Sequence, residues 1–591
     1  MPLSSISCPR LCRLLTVVAL SGSFAHPVLV HADSFAGFTP GNLVVSRSVY
    51  TGDASTVTIG QKLPPNCPLT ASCPTKAATD DGTYPNVFNN ALVDGSFGVT
   101  SPIYLDQITT GGNLISTYLV SSILSTSFSS KSELALNLSD DRSSLIFMAY
   151  VVGPNVLDVS NSNTPGVYDS TNPVGNSYYR AIAQVDTSGN LQYTETNAYS
   201  GNNGRAAVLA DGLYFTVGNS NNGAGTPANV VAAAGVQVVT PGTPAGAPTE
   251  VGNFSITQVI NPDTGQPYPP DKAGKDNNFR GLTVFNNTLY ISKGSGGNGI
   301  NTVYQVGTAG TLPTVDTAAG TPITILPGFP TTLAKNPGAQ NPFGLWFANA
   351  TTLYVADEGD GTIVNAASSP NAGLGKWILV NGVWQRAYVL QKGLNLGIPY
   401  TVSGNYPAAL NPATDGLRNI TGRLNADGTA TVWAITSTVS ASGDQGADPN
   451  KLVVITDTVA NTDSGAASSE QFGEVRSAGY GEVLRGVGFT PGTPVSPAAP
   501  AVPVTTSAFL YDRISRTYNG TVTVTNNTTA AISGPITVTL TNLTSGVTVV
   551  SGSPVLVFPV TNLLPGQSAT VSVAFRNPDN VRIAFTPVVA Y

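Results

Sequence analysis

The feature that most constrains the fold of this chain is a unit that recurs between residues 133 and 490. Each unit opens with a polar loop and a strand of small residues, then passes through a tight turn into an apolar strand. With Arg205 and its equivalents as origins, the units begin at residues 133, 205, 280, 343, 418 and 485. Self-similarity of this kind predicts one supersecondary unit that is used several times.

The pattern inside each unit indicates antiparallel strands. The turns are dipeptides that favour β-hairpins, namely Asp211-Gly212, Asn286-Asn287 and Asn381-Gly382. A β-helix would need a much shorter and stricter repeat, and separate sandwiches would not keep one opening motif. We therefore predict an all-β fold in which residues 33–490 form a β-propeller, with loops that lengthen the usual blade of roughly 40–50 residues.

The two ends of the repeat region predict how the propeller closes. The unit at Arg485 reaches the following linker after its first strand, whereas residues 42–46 resemble a second strand without an opening. Gly-Phe-Thr-Pro-Gly also occurs twice, at residues 37–41 and 488–492. We expect the ends to share one blade, which gives six blades, or seven if the residues before Glu133 hold a blade of their own.

Two family resemblances accompany this pattern. The Leu-Tyr second strands, as at residues 213–214, and the Asn-Asn-x-Arg-Gly opening at residues 277–281 resemble NHL-type and quinoprotein-like β-propellers. After a Pro-rich linker at residues 491–503, the alternating residues 504–591 suit an immunoglobulin-like β-sandwich. That part resembles accessory domains of exported bacterial proteins, which implies a spacer or binding module.

The N-terminus predicts a secretory signal over residues 1–32. Arg10 and Arg13 precede an apolar run at residues 14–20, and small residues precede Asp33. A cut after Ala25 is the alternative. The apolar run is shorter than the roughly 20 residues that span a bilayer, so we expect a released or periplasmic protein without a transmembrane anchor.

Removal of the signal limits the available chemistry. The chain has 2 histidines, His26 and His31, and both would be lost. Catalysis that depends on histidine, and metal sites with histidine ligands, would then be excluded. Cys67 and Cys73 would remain, and in an oxidising compartment they predict a disulfide, with a two-cysteine metal site as the alternative.

The net charge of the chain limits the classes of partner that it is expected to bind. Charged residues make up 10% of the chain, and loss of two arginines with the signal changes the net charge from −7 to −9. Such a chain is poorly suited to nucleic acid or anionic membranes. A small molecule, a glycan or a protein is the expected ligand.

Two loops are candidates for ion binding. Asp357, Glu358 and Asp360 follow a predicted strand, and their hard oxygen atoms could hold Ca²⁺, whereas the alternative is an acidic turn. The glycine-rich residues 293–299 could cradle an anion through backbone amides, whereas the alternative is a flexible connection.

The main predicted binding site is one mouth of the propeller channel, because each unit places polar residues just before its innermost strand. The candidate ligand-binding residues are Asn202, Asn203, Arg205, Asn277, Asn278, Arg280, Arg418 and Arg485. Their donors suit carboxylates, phosphates or sugar hydroxyls. The alternative is that these side chains bind backbone carbonyls and tie adjacent blades together.

These observations favour an exported, non-catalytic binding or surface-interaction protein. The alternative is a Ca²⁺-dependent propeller hydrolase or lactonase that works through carboxylates. An oxidoreductase with a bound quinone is a third class. The fold alone does not decide among them.

Overall fold

The computed structural model describes residues 35–51, 62–63, 76–77, 99–128, 134–172, 174–242, 248–252, 254–271, 274–404, 406–425, 427–441, 446–494, 502–528 and 531–591. Residues 1–32, Cys67, Cys73 and most of the linker lie outside these ranges. Ala36–Tyr591 forms one compact unit. Within the described ranges, no helix is long and apolar enough to cross a membrane.

Strands dominate, which confirms the all-β class. The repeat region contains β1 (Leu43–Val49), β2 (Lys62–Leu63), β3 (Lys76–Ala77), β4 (Thr100–Ser101), β5 (Ile103–Ile108), β6 (Leu114–Leu119), β7 (Leu124–Ser127), β8 (Asn137–Leu138), β9 (Ser144–Val151), β10 (Arg180–Asp186), β11 (Leu191–Thr196), β12 (Gly204–Ala210), β13 (Leu213–Gly218), β14 (Gly235–Val239), β15 (Thr249–Glu250), β16 (Leu282–Phe285), β17 (Thr288–Lys293), β18 (Thr302–Val306), β19 (Ile323–Ile325), β20 (Pro342–Asn349), β21 (Thr352–Asp357), β22 (Gly373–Val380), β23 (Val383–Leu390), β24 (Ala413–Leu424), β25 (Thr429–Val439), β26 (Lys451–Thr458), β27 (Gly473–Ser477) and β28 (Glu482–Phe489).

The C-terminal part contains β29 (Val504–Thr506), β30 (Leu510–Asp512), β31 (Thr517–Thr525), β32 (Ile532–Ser533), β33 (Ile536–Thr541), β34 (Thr548–Val549), β35 (Val555–Phe558), β36 (Asn562–Leu563), β37 (Ser568–Arg576) and β38 (Thr586–Ala590). Helical segments are short: α1 (Ala228–Ala232), α2 (Ile363–Ala366) and the 3-10 turns Val159–Asn161, Ile256–Gln258, Ala318–Gly320 and Ala408–Leu410.

The predicted hairpin turns are present and explain where the strands reverse. Asn381 and Gly382 have φ values of 51° and 79°, so both central residues are in the left-handed region that a type I′ turn requires. The same holds at Asp211-Gly212 and at Asn286-Asn287. Asn, Asp and Gly tolerate this backbone, which is why these dipeptides predict the turns.

Six antiparallel sheets of four or more strands follow one another along the described repeat region, which also contains the two-stranded pair β2-β3. Sheet III has the order β12-β13-β14-β15, sheet IV β16-β17-β18-β19, sheet V β20-β21-β22-β23 and sheet VI β24-β25-β26-β27. Sheet II has the order β11-β10-β9-β7-β4, and β8 also pairs with β9. Sheet I has the order β28-β1-β5-β6, so it contains strands from both ends of the region.

The pairing of β1 with β28 confirms that both ends share one sheet. Leu43 pairs with Phe489 and Val49 pairs with Glu482. The two Gly-Phe-Thr-Pro-Gly segments also meet, because the Thr490 hydroxyl donates to the Thr39 carbonyl at 2.8 Å. This pairing covers edges of β1 and β28 that would otherwise be exposed.

Successive sheets pack face to face through apolar cores. One core joins Phe215 of sheet III to Tyr304 of sheet IV, and another joins Tyr354 of sheet V to Val432 of sheet VI. Further cores join sheets II and III, IV and V, and VI and I. The hydrophobic side of each sheet is therefore covered by its neighbours.

The first strands of neighbouring sheets approach so closely that the residue after the arginine must be small. A Cβ atom on Gly281 would lie 2.0 Å from the Phe343 carbonyl oxygen of sheet V, and one on Gly344 would lie 2.5 Å from the Arg418 carbonyl oxygen of sheet VI. At the junction of sheets VI and I, the Asn419 amide instead donates to the Arg485 carbonyl at 2.7 Å. The close approach of the first strands therefore explains why the second residue of the opening motif is glycine at two junctions and asparagine at a third.

The C-terminal strands form sheets that are separate from sheets I–VI. Their orders are β29-β31-β37-β34 with β30 on β31, β35-β33-β38, and the pair β32-β36. A common core that includes Val522, Val538 and Phe575 lies between them. This part contacts sheet V, where the Thr351 hydroxyl lies 3.1 Å from the Asn527 side-chain oxygen.

Candidate functional site

Two of the predicted binding residues, Arg280 and Arg418, lie in or just before the first strand of their sheets. In an antiparallel hairpin, the start of the first strand lies beside the end of the second. Arg280 precedes the first strand of sheet IV, Arg418 lies in the first strand of sheet VI, and Glu358 follows the second strand of sheet V. The topology therefore brings these three side chains to the same edge.

Glu358 joins the two arginines. Its Oε2 lies 3.1 Å from Arg418 Nε, and its Oε1 lies 3.6 Å from Arg280 Nη2. All three residues are buried. Arg280 also donates to the Ser295 hydroxyl at 2.5 Å and lies over the Phe343 ring. Both guanidinium groups are thus held by acceptors of the protein itself.

A cavity of about 180 Å³ lies beside this triad, between sheets IV, V and VI. Its walls include the triad, a glycine-rich loop, an acidic turn and three further polar residues: Arg280, Gly294, Ser295, Gly296, Asn341, Glu358, Gly359, Asp360, Gly361, Asp415, Arg418 and Thr438. The glycine-rich loop contributes its backbone to the wall. The cavity is smaller than the roughly 300–1,000 Å³ of drug-sized sites, so it suits a small group.

Asp415 is the most unusual side chain of this cavity, which we call the mouth cavity. It is 2% exposed, and its Oδ2 accepts a hydrogen bond from the Gly361 amide at 2.8 Å. Its Oδ1 is buried and has no hydrogen-bond partner among the residues that the structure describes. Burial, with the charges of Asp360 and Glu358 beside it, raises the pKa of Asp415 to about 7. A buried acceptor without a donor is unfavourable unless a ligand or water supplies one.

The carboxylates of the candidate Ca²⁺ site each have partners within the protein. Asp357 accepts from the amides of Asn341 and Gly359, whereas Glu358 binds the two arginines. Asp360 accepts from the Thr362 amide and the Asn365 side chain. Within the described ranges, no three Asp, Glu, His or Cys side chains are grouped to hold a metal ion. These carboxylates do not converge, because successive residues of the turn point to different partners.

Arg205 lies near a buried lysine. Lys293 ends β17 and donates to the Asn301 side chain at 3.0 Å and to the Ser295 carbonyl at 3.1 Å. Burial, together with the positive charges of Arg280 and Arg205, lowers the pKa of Lys293 to about 7. Arg205 and Arg280 therefore belong to one cationic region beneath the glycine-rich loop, although Arg205 does not line the mouth cavity.

The predicted asparagines have mainly local roles. Asn203 accepts a hydrogen bond from the Tyr150 hydroxyl at 2.8 Å, and the Asn202 carbonyl accepts one from Arg180 at 2.7 Å. Asn277 is buried against Gly235, and the amide of the half-buried Asn278 approaches Gly296 of the cavity wall. These contacts fit the alternative in which polar residues tie adjacent sheets together.

Arg485 is separate from the mouth cavity. Its Nη2 donates to the carbonyls of Ser127 and Phe128, and its Nε donates to the Ser48 hydroxyl at 3.3 Å. It therefore joins β28 to the segment that includes β7. Of the four predicted arginines, the structure brings Arg280 and Arg418 together in one cavity wall and places Arg485 in a backbone tie.

A second cavity of about 460 Å³ adjoins the first, and we call it the outer cavity. The two share Asn341 and Asp360 in their walls. The remaining wall is uncharged and rich in amides and hydroxyls: Ala334, Asn336, Pro337, Gly338, Ala339, Asn365, Ser368, Ser369, Pro370 and Asn371.

Comparisons with known proteins do not assign a family. No family model matches the chain, and no curated protein matches it. A post-proline cleaving enzyme from Rickettsia typhi is similar over 62% of this chain and 52% of its own, with 10% identity and a TM-score of 0.20. A mutant Salmonella alpha-2-macroglobulin is similar over 94% of this chain and 38% of its own, with 12% identity and a TM-score of 0.16. The chain spans about half or less of these structures, and such low TM-scores carry no argument.

Proposed function

We propose that the repeat region is a six-bladed β-propeller whose first blade is built from both ends, as in sheet I. The succession of sheets I–VI, the cores between neighbours and the β1–β28 pairing support this architecture. The described residues 99–128 contribute to sheets I and II rather than to a sheet of their own, which favours six blades over seven. NHL-type and quinoprotein-like propellers remain the families that this architecture would resemble.

The C-terminal part is an immunoglobulin-like β-sandwich in this proposal. Its alternating strands and its own apolar core support the assignment. A fragment of residues 502–591 should unfold cooperatively and give a dispersed NMR spectrum when expressed alone. An unfolded fragment would show that this part depends on its contact with sheet V.

The function that the geometry supports best is non-catalytic binding of a small polar ligand by an exported protein. The observation that carries this proposal is Asp415, a buried carboxylate with an unpartnered oxygen in the wall of a cavity shared by three sheets. Arg280 and Arg418 act as scaffolding for Glu358 and the wall, and the sandwich serves as a spacer or a second contact surface.

Saturation-transfer NMR on the full mature chain tests this function. The probes should cover four chemical classes: a primary amine, a monosaccharide, a dicarboxylate and an amino acid. We expect at least one class to bind the wild type and to bind Asp415→Asn more weakly. Asp316→Asn is the matched control, because Asp316 is exposed and lies outside the walls of both cavities. If no class binds, or if both variants bind equally well, the mouth cavity is not the site.

A further inference from the structure

The charges around the mouth cavity point to a cationic ligand group. Glu358 lies 3.1 Å from Arg418 Nε and 3.6 Å from Arg280 Nη2, so its carboxylate offsets part of the positive charge of these two arginines. The wall contains two further carboxylates, those of Asp360 and Asp415. Above the pKa of Asp415, which is about 7, the two arginines and three acids of the wall give an excess of one negative charge, which would disfavour an anion and favour a cation.

The hydrogen-bonding pattern narrows the chemistry of that cation. Oδ2 of Asp415 is occupied by the Gly361 amide, whereas Oδ1 needs a donor. Asn341 and Thr438 supply other polar groups in the same wall. A primary ammonium group offers three donors and forms charge-assisted hydrogen bonds with carboxylates, whereas a metal ion would need a ligand cluster that the described residues lack.

The lining of the outer cavity indicates the chemistry of the remaining part of the ligand. It joins the mouth cavity at Asn341 and Asp360 and is the larger of the two, at about 460 Å³ against 180 Å³. Beyond Asp360, its wall carries no charged side chain. Asn336 offers a side-chain amide there, whereas the amides of Asn365 and Asn371 already donate to Asp360 and to the Gly338 carbonyl. This lining suits an uncharged chain of amides or hydroxyls.

We propose that the ligand carries a primary ammonium group, which pairs with Asp415 in the mouth cavity, on an uncharged polar chain that extends into the outer cavity. This inference rests on the proposed binding function and names the chemical class of its ligand. Two sources share this chemistry: a short peptide with a free N-terminus, and an amino sugar.

The ionisation of Asp415 gives an independent signature. Asp360, Glu358 and Arg418 are the charged groups that act on its carboxyl, and with burial they bring its pKa to about 7. An ammonium group favours the ionised carboxylate. Binding of an amine should therefore strengthen as the pH rises through about 7, and it should weaken again above about 8, where the α-amino group of a peptide loses its proton. Below pH 7, binding should release a proton from Asp415.

Calorimetric titration of the full mature chain at about pH 7.3, between the pKa of Asp415 and that of a peptide α-amino group, tests the proposal with matched probes. Triglycine amide is compared with N-acetyl-triglycine amide, and glucosamine is compared with N-acetylglucosamine. We expect at least one free amine to bind and its acetylated partner to bind at least about tenfold more weakly. Asp415→Asn should lose a similar factor, whereas Asp316→Asn should not. The pair that shows the difference identifies the source.

A second variant tests the extension without altering the ammonium contact. Ser368 is exposed in the wall of the outer cavity, so Ser368→Trp should obstruct this cavity and leave the mouth cavity intact. It should weaken triglycine amide more than glucosamine. Far-ultraviolet circular dichroism establishes that each variant is folded.

Several results would overturn the inference. Equal binding of acetylated and free probes, or failure of both free amines to bind at millimolar concentration, would show that an ammonium group is not recognised. If a sugar or a dicarboxylate then bound in an Asp415-dependent way, the binding function would stand and its ligand class would be wrong. If no probe of any class bound, the function itself would fail.

Discussion

Gly281 provides a direct test of the close packing between neighbouring sheets. Its Cβ position lies 2.0 Å from the Phe343 carbonyl oxygen and 3.0 Å from the Ser292 hydroxyl, whereas real Cβ atoms stay beyond 3.0 Å from their neighbours. In Gly281→Ala, sheets IV and V must therefore separate locally by about 1 Å. The φ of Gly281 is not in the left-handed region, so backbone strain does not contribute.

The expected destabilisation has two parts. Overpacking at a rigid contact costs about 1–3 kcal/mol. The Ser292 hydroxyl also donates to the Phe343 carbonyl at 2.5 Å, and disturbing this bond removes about 0.5–1.5 kcal/mol. We expect Gly281→Ala to reduce the free energy of unfolding by about 1.5–4.5 kcal/mol in total.

Equilibrium urea denaturation followed by tryptophan fluorescence measures this change. Gly473→Ala is the matched control, because Gly473 lies in β27 with an ordinary φ and no atom within 4 Å of its Cβ position. Alanine there should be neutral or stabilising by up to about 1 kcal/mol. If the two variants unfolded at the same urea concentration with the same slope, the close approach of the first strands would not contribute to stability.

Three other predictions concern side chains elsewhere. Because the pKa of Asp415 in the folded protein is raised to about 7, the free energy of unfolding of the wild type relative to Asp415→Asn should fall by up to about 4 kcal/mol as the pH rises from about 4 to 7. A difference between the two in urea denaturation that does not change with pH would contradict this. Asp457→Asn should lower the free energy of unfolding by about 3–5 kcal/mol in the same assay, because it removes the negative charge that lies 2.8 Å from the fully buried Lys376. Adding Lys376→Met to this variant should restore part of the lost stability. Thiol titration of the unfolded, unreduced mature chain should find no free thiol at Cys67 and Cys73, whose short loop would contribute less than about 3 kcal/mol, whereas two free thiols would disprove the bond.

The antiparallel hairpins of the repeat region were largely predictable because their signals are local. Turn dipeptides such as Asn381-Gly382 determine where a hairpin reverses, through their tolerance of positive φ. The small residue at Gly281 recurs in the opening motif because each first strand meets the same kind of neighbour. The incomplete units at the two ends likewise predicted the pairing of β1 with β28.

The site was only partly predictable because its groups meet from distant parts of the chain. Arg280 and Arg418, two predicted binding residues, line the mouth cavity. For Glu358 the sequence left a Ca²⁺ ligand and an acidic turn open, because an acidic turn does not show which cations face it. Asp415 was missed altogether. Asp415 lies three residues before Arg418, so its place in the sequence could have suggested it as a site residue. Its burial was not predictable, because it comes from the turn at Gly359 in the neighbouring sheet.

The composition of sheet I also has a consequence for the order of folding. Val49 pairs with Glu482, so this sheet is completed only after a segment of more than 400 residues has been made and its ends have met. Closing a loop of that length costs about 5 kcal/mol of chain entropy. The contacts between β1 and β28 offset this loss only when the two strands pair. Sheets III–VI each form from consecutive strands and can assemble earlier. We therefore expect sheet I to form last, and a circular permutant with new termini between sheets III and IV to fold by a different order while reaching the same final pairing.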